Sequence, residues 1–160
     1  MGKICTREQL KEELDIVRRE GKRIVFTNGC FDILHVGHVR YLREAQGEGD
    51  VLVVAVNSDS SVRSIKGEKR PLVSEAERAE MVAALAMVDY VTVFSETTPL
   101  AIIEELQPDV LAKGGDWSRD EVVGRQAVEN RGGRVVIIPV TEGASTTNIV
   151  ERIRRVYGNG

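Results

Sequence analysis

The chain has 160 residues, 42% hydrophobic and 29% charged, which excludes a disordered or collagen-like polypeptide. Its 22 basic and 25 acidic residues leave a net charge of −3, an unfavourable balance for general nucleic-acid binding. The longest apolar run, Met81 to Val88, falls far short of the ~20 residues of a membrane-spanning helix, and Cys5 and Cys30 make no disulfide framework. With no apolar signal region near Met1, the expectation is a cytoplasmic protein with neither nucleic-acid nor membrane partners.

The elements alternate. Thr6 caps a first helix with Gln9 three residues on, Leu10, Leu14 and Val17 recur at helical spacing, and Gly21 ends it. Arg23 to Thr27 is a short β-branched strand ending at Asn28-Gly29, followed by a helix from about Gly37 to Gln46. Val51 to Val56 is apolar at every position, as a parallel strand buried on both faces must be. Ser74 to Ala86 is a capped helix, Tyr90 to Phe94 a strand, and Pro99 opens a helix carrying Ile102, Ile103 and Leu106. Asp109 to Ala112, Arg119 to Asn130, Val135 to Ile138 and Thr146 to Val156 complete the alternation as strand, helix, strand, helix. The pattern predicts an α/β fold: a Rossmann-like, doubly wound, parallel five-stranded sheet with helices on both faces. It forms a single domain over 1–160, with the core at about 22–157 and the N-terminal helix at about 6–21.

In such a sheet ligands bind beyond the carboxyl ends of the strands. The loop after the first strand, Asn28-Gly29-Cys30-Phe31-Asp32-Ile33-Leu34-His35-Val36-Gly37-His38, holds both histidines of the chain and runs into a helix. Free N–H groups and the positive dipole end make that helix start an anion site, and two imidazoles add donors. Gly37 removes a side chain between them, and Gly29 permits a tight turn under a ligand. A zinc site on His35 and His38 with Cys30 or Asp32 lacks a second Cys/His cluster to complete a tetrahedron.

Other loops fall at the same end. Asn57-Ser58-Asp59 serves a ligand or simply caps a helix. Lys66 to Pro71 is basic and reads as a mobile phosphate clamp or a solvated charged loop. Arg78 reaches the site or pairs with Glu75 or Glu77. Lys113-Gly114-Gly115-Asp116-Trp117 stands at a strand's carboxyl end, and Gly143 to Thr147 opens the last helix with hydroxyls and free amides. Three anion-donating loops at one sheet end point to a polyphosphate ligand. GxxxxGK[ST], GxGxxG after the first strand, and GxSxG are all absent.

The GxFDxxHxGH word from Gly29 to His38 resembles the cytidylyltransferase-like nucleotidyltransferase superfamily. Asn28 to Asp32, Val56 to Asp59, Lys66 to Pro71, Lys113 to Asp116 and Ser145 to Ile149 are together similar to heptose 1-phosphate adenylyltransferases, the nucleotidyltransferase half of bifunctional ADP-heptose synthases. Cytidylyltransferases for glycerol phosphate carry an arginine where Val140 stands and lack the Lys113-Gly114-Gly115 word, so the resemblance leans to ATP.

The resemblance implies transfer of an adenylyl group from ATP to a heptose 1-phosphate, giving ADP-heptose and pyrophosphate. His35, His38 and Lys66 would be catalytic. Asn28, Gly29, Cys30, Phe31, Gly37, Lys113, Gly114, Asp116, Ser145, Thr146 and Thr147 would hold the nucleotide with the two histidines. Asp32, Asn57, Arg70 and Arg78 would join Lys66 around the sugar phosphate. Mg²⁺ would ride on the ATP phosphates with no direct protein ligand. The resemblance further implies a stand-alone form, a homodimer and a separate heptose kinase upstream. Rival readings are a cytidylyltransferase for a phospho-alcohol such as glycerol 3-phosphate, and a non-catalytic nucleotide sensor.

Overall fold

The computed structural model of the chain describes residues 1–115, 117–139 and 143–158. Asp116 and Val140 therefore lie outside the described residues. In chain order the elements are β1 (Lys3–Ile4), α1 (Arg7–Arg19), β2 (Ile24–Gly29), α2 (Val36–Gln46), β3 (Val51–Asn57), α3 (Asp59–Lys66), α4 (Glu75–Ala83), β4 (Tyr90–Phe94), α5 (Leu100–Leu106), β5 (Val110–Gly114), a 3₁₀ turn (Arg119–Glu121), α6 (Arg125–Glu129), β6 (Arg134–Ile138) and α7 (Thr146–Tyr157). The strands form one sheet in the order β1-β4-β3-β2-β5-β6, every pair parallel.

Alternation along each strand decides which face a residue serves. Ile24 and Phe26 of β2 and Val51, Val53 and Ala55 of β3 join Leu10 and Leu14 of α1 and Ile102, Ile103 and Leu106 of α5 in one core. Val25, Leu52, Val54 and Val56 face the other way, onto Leu42 and Ala45 of α2 and Ala79, Val82 and Ala83 of α4. Each fully buried Leu, Ile, Val or Phe contributes about 1.5–3 kcal/mol of transfer free energy. The doubly wound parallel sheet is as expected.

Three features differ from expectation. The sheet has six strands among the described residues rather than five: Lys3-Ile4 adds an edge strand on Tyr90-Val91, and the Gly2 amide donates to the Ala83 carbonyl at the end of α4. Two residues are too short for a periodic signal. The expected helix from Arg119 to Asn130 is broken into the 3₁₀ turn and α6, because Val122 is buried in the core and Gly124 turns the chain at φ +89°. A Cβ on Gly124 would lie 2.6 Å from Ile103 Cδ1. Lys66, read as the start of a basic loop running to Pro71, is instead the last residue of α3, whose N-cap Ser58, one of the two residues expected to cap a helix there, accepts from the Ser61 amide.

The chain builds β2, β3 and β4 outward on one side, then crosses to β5 and β6 on the other. The switch point lies between β2 and β5, where the handed order of the sheet opens a crevice. These strands pair only at Val25 with Val110 and Phe26 with Leu111. Beyond that register the Tyr41 hydroxyl, from α2, stands between them, 2.6 Å from Thr27 Oγ1 and donating to the Ala112 carbonyl at 3.1 Å. Burial pushes its pKa up to about 12, so it stays a neutral donor.

Candidate active site

Two adjoining cavities open at the carboxyl ends of β2 and β5. The first, about 320 Å³, is lined by Asn28, Gly29, Cys30 and Phe31 after β2, by His35, Gly37, His38 and Tyr41 of the α2 start, by Lys113, Gly114 and Trp117 after β5, and by Ala144. The second, about 290 Å³, is lined by Asp32, Val62, Lys66, Arg70, Thr146 and Thr147, and shares Cys30, Phe31 and His38 with the first.

His35 and His38 stand on the first turn of α2 with their rings stacked, centroids 3.9 Å apart. The His35 amide approaches His38 Nδ1 at 3.4 Å, so a neutral His38 carries its proton on Nε2. Burial, and secondly its neighbour His35, pushes the His38 pKa down to about 4; burial lowers that of His35 as well. Both rings are neutral donors at pH 7. His35 Nδ1 is buried with no hydrogen-bond partner among the described residues, a polar atom left for a ligand to satisfy. Gly37 makes the stacking possible, since a Cβ there would lie 3.0 Å from the His35 ring and 3.2 Å from Ala144 Cβ.

Phe31 holds a left-handed conformation at φ +49°, uncommon for a bulky residue, and its ring tilts against His38 at 5.3 Å. Across the crevice Lys113 Nζ lies 3.5 Å from Asn28 Oδ1 and 5.8 Å from the Trp117 ring centroid. Burial lowers the Lys113 pKa, which favours an incoming anion that restores its charge. Lys66 is the last residue of α3, so its ammonium reaches the second cavity from a helix end beside Arg70. Ser145 caps α7, accepting from the Asn148 amide at 3.0 Å, with Thr146 and Thr147 at the cavity wall.

Three residues assigned by expectation to the sugar phosphate are engaged elsewhere. Arg78 is fully buried and lines neither cavity; its guanidinium donates to the Val73, Cys30 and Asn57 carbonyls and to the Asp59 carboxylate. Asn57 is buried, and its side-chain amide donates to Ser61 Oγ. Asp32 does line the second cavity, but its carboxylate is buried and receives Arg70 Nε and the Leu72 and Val73 amides. Tyr41 and Val62 also line the cavities and lie outside the loops that the sequence singles out, whereas Trp117 and Ala144 belong to the Lys113–Trp117 and Gly143–Thr147 loops. Tyr41 follows His38 by one helical turn, a spacing that signals the same helix face.

Asp32 is also the one carboxylate among the described lining residues, and no cluster of three or more His, Cys, Asp or Glu occurs among the described residues. Imidazoles, ammonium groups and helix-start amides suit a polyphosphate.

The model of the cytidylyltransferase-like family matches residues 26–152. The chain belongs to the cytidylyltransferase-like family. Membership makes it a nucleotidyltransferase. It is 56% identical over 159 residues to the bifunctional protein HldE of Syntrophotalea carbinolica, covering 99% of this chain and 32% of that protein. It is 58% identical over 141 residues to the bifunctional protein HldE of Geobacter sulfurreducens, covering 88% of this chain and 29% of that one. The chain thus spans about a third of the length of these curated relatives. A solved lipopolysaccharide core biosynthesis protein from Thermoplasma volcanium is 32% identical, with a TM-score of 0.64 over 78% of this chain and 100% of that one. Pantothenate synthetase from Thermus thermophilus shares the fold at 17% identity and a TM-score of 0.65, over 93% of this chain and 67% of that one.

Proposed function

We propose that the chain is an adenylyltransferase joining a heptose 1-phosphate to the α-phosphate of ATP, with release of pyrophosphate and formation of ADP-heptose. The observation that carries this reading is the pair of cavities meeting at Cys30, Phe31 and His38. The first, with an aromatic and aliphatic wall and Lys113, suits a nucleotide; the second, with Lys66 and Arg70, suits a sugar phosphate. The likeness to HldE proteins and to a lipopolysaccharide core biosynthesis protein supports a sugar phosphate as acceptor.

In this reaction a phosphate oxygen of the sugar 1-phosphate forms a bond to the α-phosphorus, and the bond from that phosphorus to the departing pyrophosphate breaks. A phosphate monoester loses its second proton near pH 6, so the nucleophile arrives anionic and needs no general base. The chain's own work is to bring two anions together and neutralise the charge that develops. His35, His38 and the free amides of α2 receive the triphosphate. Lys113 adds charge near it, and Lys66 and Arg70 draw in the attacking phosphate. Mg²⁺ on the ATP phosphates would supply further charge neutralisation there, with no direct protein ligand.

On this reading the protein works in the cytoplasm as a homodimer, on heptose 1-phosphate supplied by a kinase reaction. No helix among the described residues is long and apolar enough to cross a membrane. Pyrophosphate release tests the reaction. D-glycero-β-D-manno-heptose 1-phosphate with ATP is the expected pair. Turnover with CTP and glycerol 3-phosphate instead would establish a phospho-alcohol cytidylyltransferase, and ATP binding without pyrophosphate from any sugar phosphate would establish a sensor.

A further inference from the structure

Arg78 is the largest fully buried side chain among the described residues, and the lining of both cavities excludes it. A guanidinium in that position demands a partner for each donor. Its Nη1 donates to the Cys30 carbonyl at 2.6 Å and to the Asn57 carbonyl at 2.7 Å, its Nε to the Val73 carbonyl at 2.9 Å, and its Nη2 to Asp59 at 2.6 Å. Asp32 is nearly as buried and grips the same stretch from the other side, accepting from the Leu72 amide at 2.7 Å and the Val73 amide at 3.0 Å. Val73 is therefore held at its carbonyl by Arg78 and at its amide by Asp32. The Cys30 carbonyl, two residues before Asp32, closes a ring: Cys30, Arg78, Val73, Asp32 and back along the chain.

Phe31 sits inside that ring with its backbone at φ +49°. A bulky residue keeps such a conformation only where its surroundings impose it. Phe31 and Cys30 are also two of the three residues common to both cavities, and the Phe31 ring faces His38. On the other side, the Asp32 carboxylate takes Arg70 by Nε, which leaves the two Nη groups of Arg70 for a ligand in the second cavity.

We propose that Arg78 is a positioning residue: with Asp32 it locks the Cys30–Asp32 turn and the 70–73 segment into one frame, holding the nucleotide compartment and the sugar-phosphate compartment in register. The inference rests on the proposed adenylyl transfer for its acceptor side. Arg78 touches no reacting atom, and the effect of changing it passes through Cys30, Phe31 and Arg70.

Arg78→Lys tests this, because lysine keeps the charge but cannot span three carbonyls and a carboxylate with one ammonium. ATP binding is followed by the fluorescence of Trp117, the single tryptophan, at the wall of the first cavity. The expected result is a kcat lower by roughly 10²-fold, the scale of a small misplacement of reacting groups, with a smaller loss of ATP affinity, in a variant whose circular dichroism is that of the wild type. A folded variant with kcat and ATP affinity within about twofold of wild type overturns the proposal, even if its Tm falls. Should Arg78→Lys not fold, Asp32→Asn breaks the ring from its other side and must lower kcat and raise the acceptor KM; wild-type values there overturn it equally. Wild-type turnover of the heptose phosphate runs alongside. Its absence counts against the proposed substrate pair alone, and the ring is then judged on the ATP titration, where Arg78→Lys must weaken binding and unchanged affinity overturns it.

Discussion

The imidazoles of His35 and His38 lie face to face, centroids 3.9 Å apart and planes inclined by 27°. Two imidazolium cations at that distance would repel, and both rings are shifted toward the neutral form by burial. The pair therefore waits as neutral donors at the start of α2, and a polyphosphate arriving there supplies the negative charge that each ring lacks.

His38→Ala removes the ring that borders both cavities. The expected loss in kcat is about 10²-fold or more, the scale for one preorganised donor. Pyrophosphate release by the purified variant measures it, and a wild-type rate would end the role assigned to His38.

Stability follows the same ring. His38 is held at about 4 in the folded protein against 6.5 unfolded. Above pH 6.5 neither state binds the proton and the group adds no slope. As pH falls from 6.5 to 4 the unfolded chain takes up a proton that the folded one refuses, so stability is lost across that window. Urea unfolding at pH 7.5 and pH 5 reads this. Because a bound polyphosphate favours the imidazolium, ATP binding near pH 6 must be accompanied by proton uptake. Calorimetry in two buffers of different ionisation enthalpy detects it, and identical heats in both would contradict the proton linkage.

Gly37→Ala separates activity from stability. Alanine gains up to about 1 kcal/mol of helix propensity over glycine. Its Cβ, however, falls 3.0 Å from the His35 ring and must push that ring out of the stack. The expected variant has a Tm close to or above wild type and a kcat at least roughly tenfold lower. Full activity would show that the stacked arrangement is dispensable.

Lys66→Ala acts on the second cavity. Lys66 faces that space and is absent from the lining of the first. Its removal is expected to cut kcat and raise the acceptor KM while ATP affinity, read through Trp117, changes little. Equal losses in ATP affinity and in rate would place the ammonium on the nucleotide instead.

The anion-binding heart of this protein was legible before folding because it is local. The stretch from Asn28 to His38 is one strand end, one turn and one helix start, and its glycines, imidazoles and free amides lie within eleven residues. The β-rich runs showed a parallel sheet for the same reason: β3 is buried at every position, and that pattern is written along a single segment. Lys113 was equally readable, since a lysine at the carboxyl end of a strand follows from strand period alone.

What the sequence left open depends on distance across the fold. Arg78 carries no sign of whether it faces a ligand or three carbonyls; that was settled when α4 packed against β3 and β4 and buried it completely. Asp32 belongs to the motif, yet its partners at 70, 72 and 73 stand some forty residues away. Tyr41 looks like an ordinary aromatic on a helix until β2 and β5 part and leave its hydroxyl between them. By itself the sequence determined the local chemistry, because helix starts, glycine turns and apolar periods need only neighbouring residues. Tertiary packing alone decided which charged groups face the ligand and which hold the frame, because burial removes water from a side chain and obliges it to find partners wherever the chain has brought them.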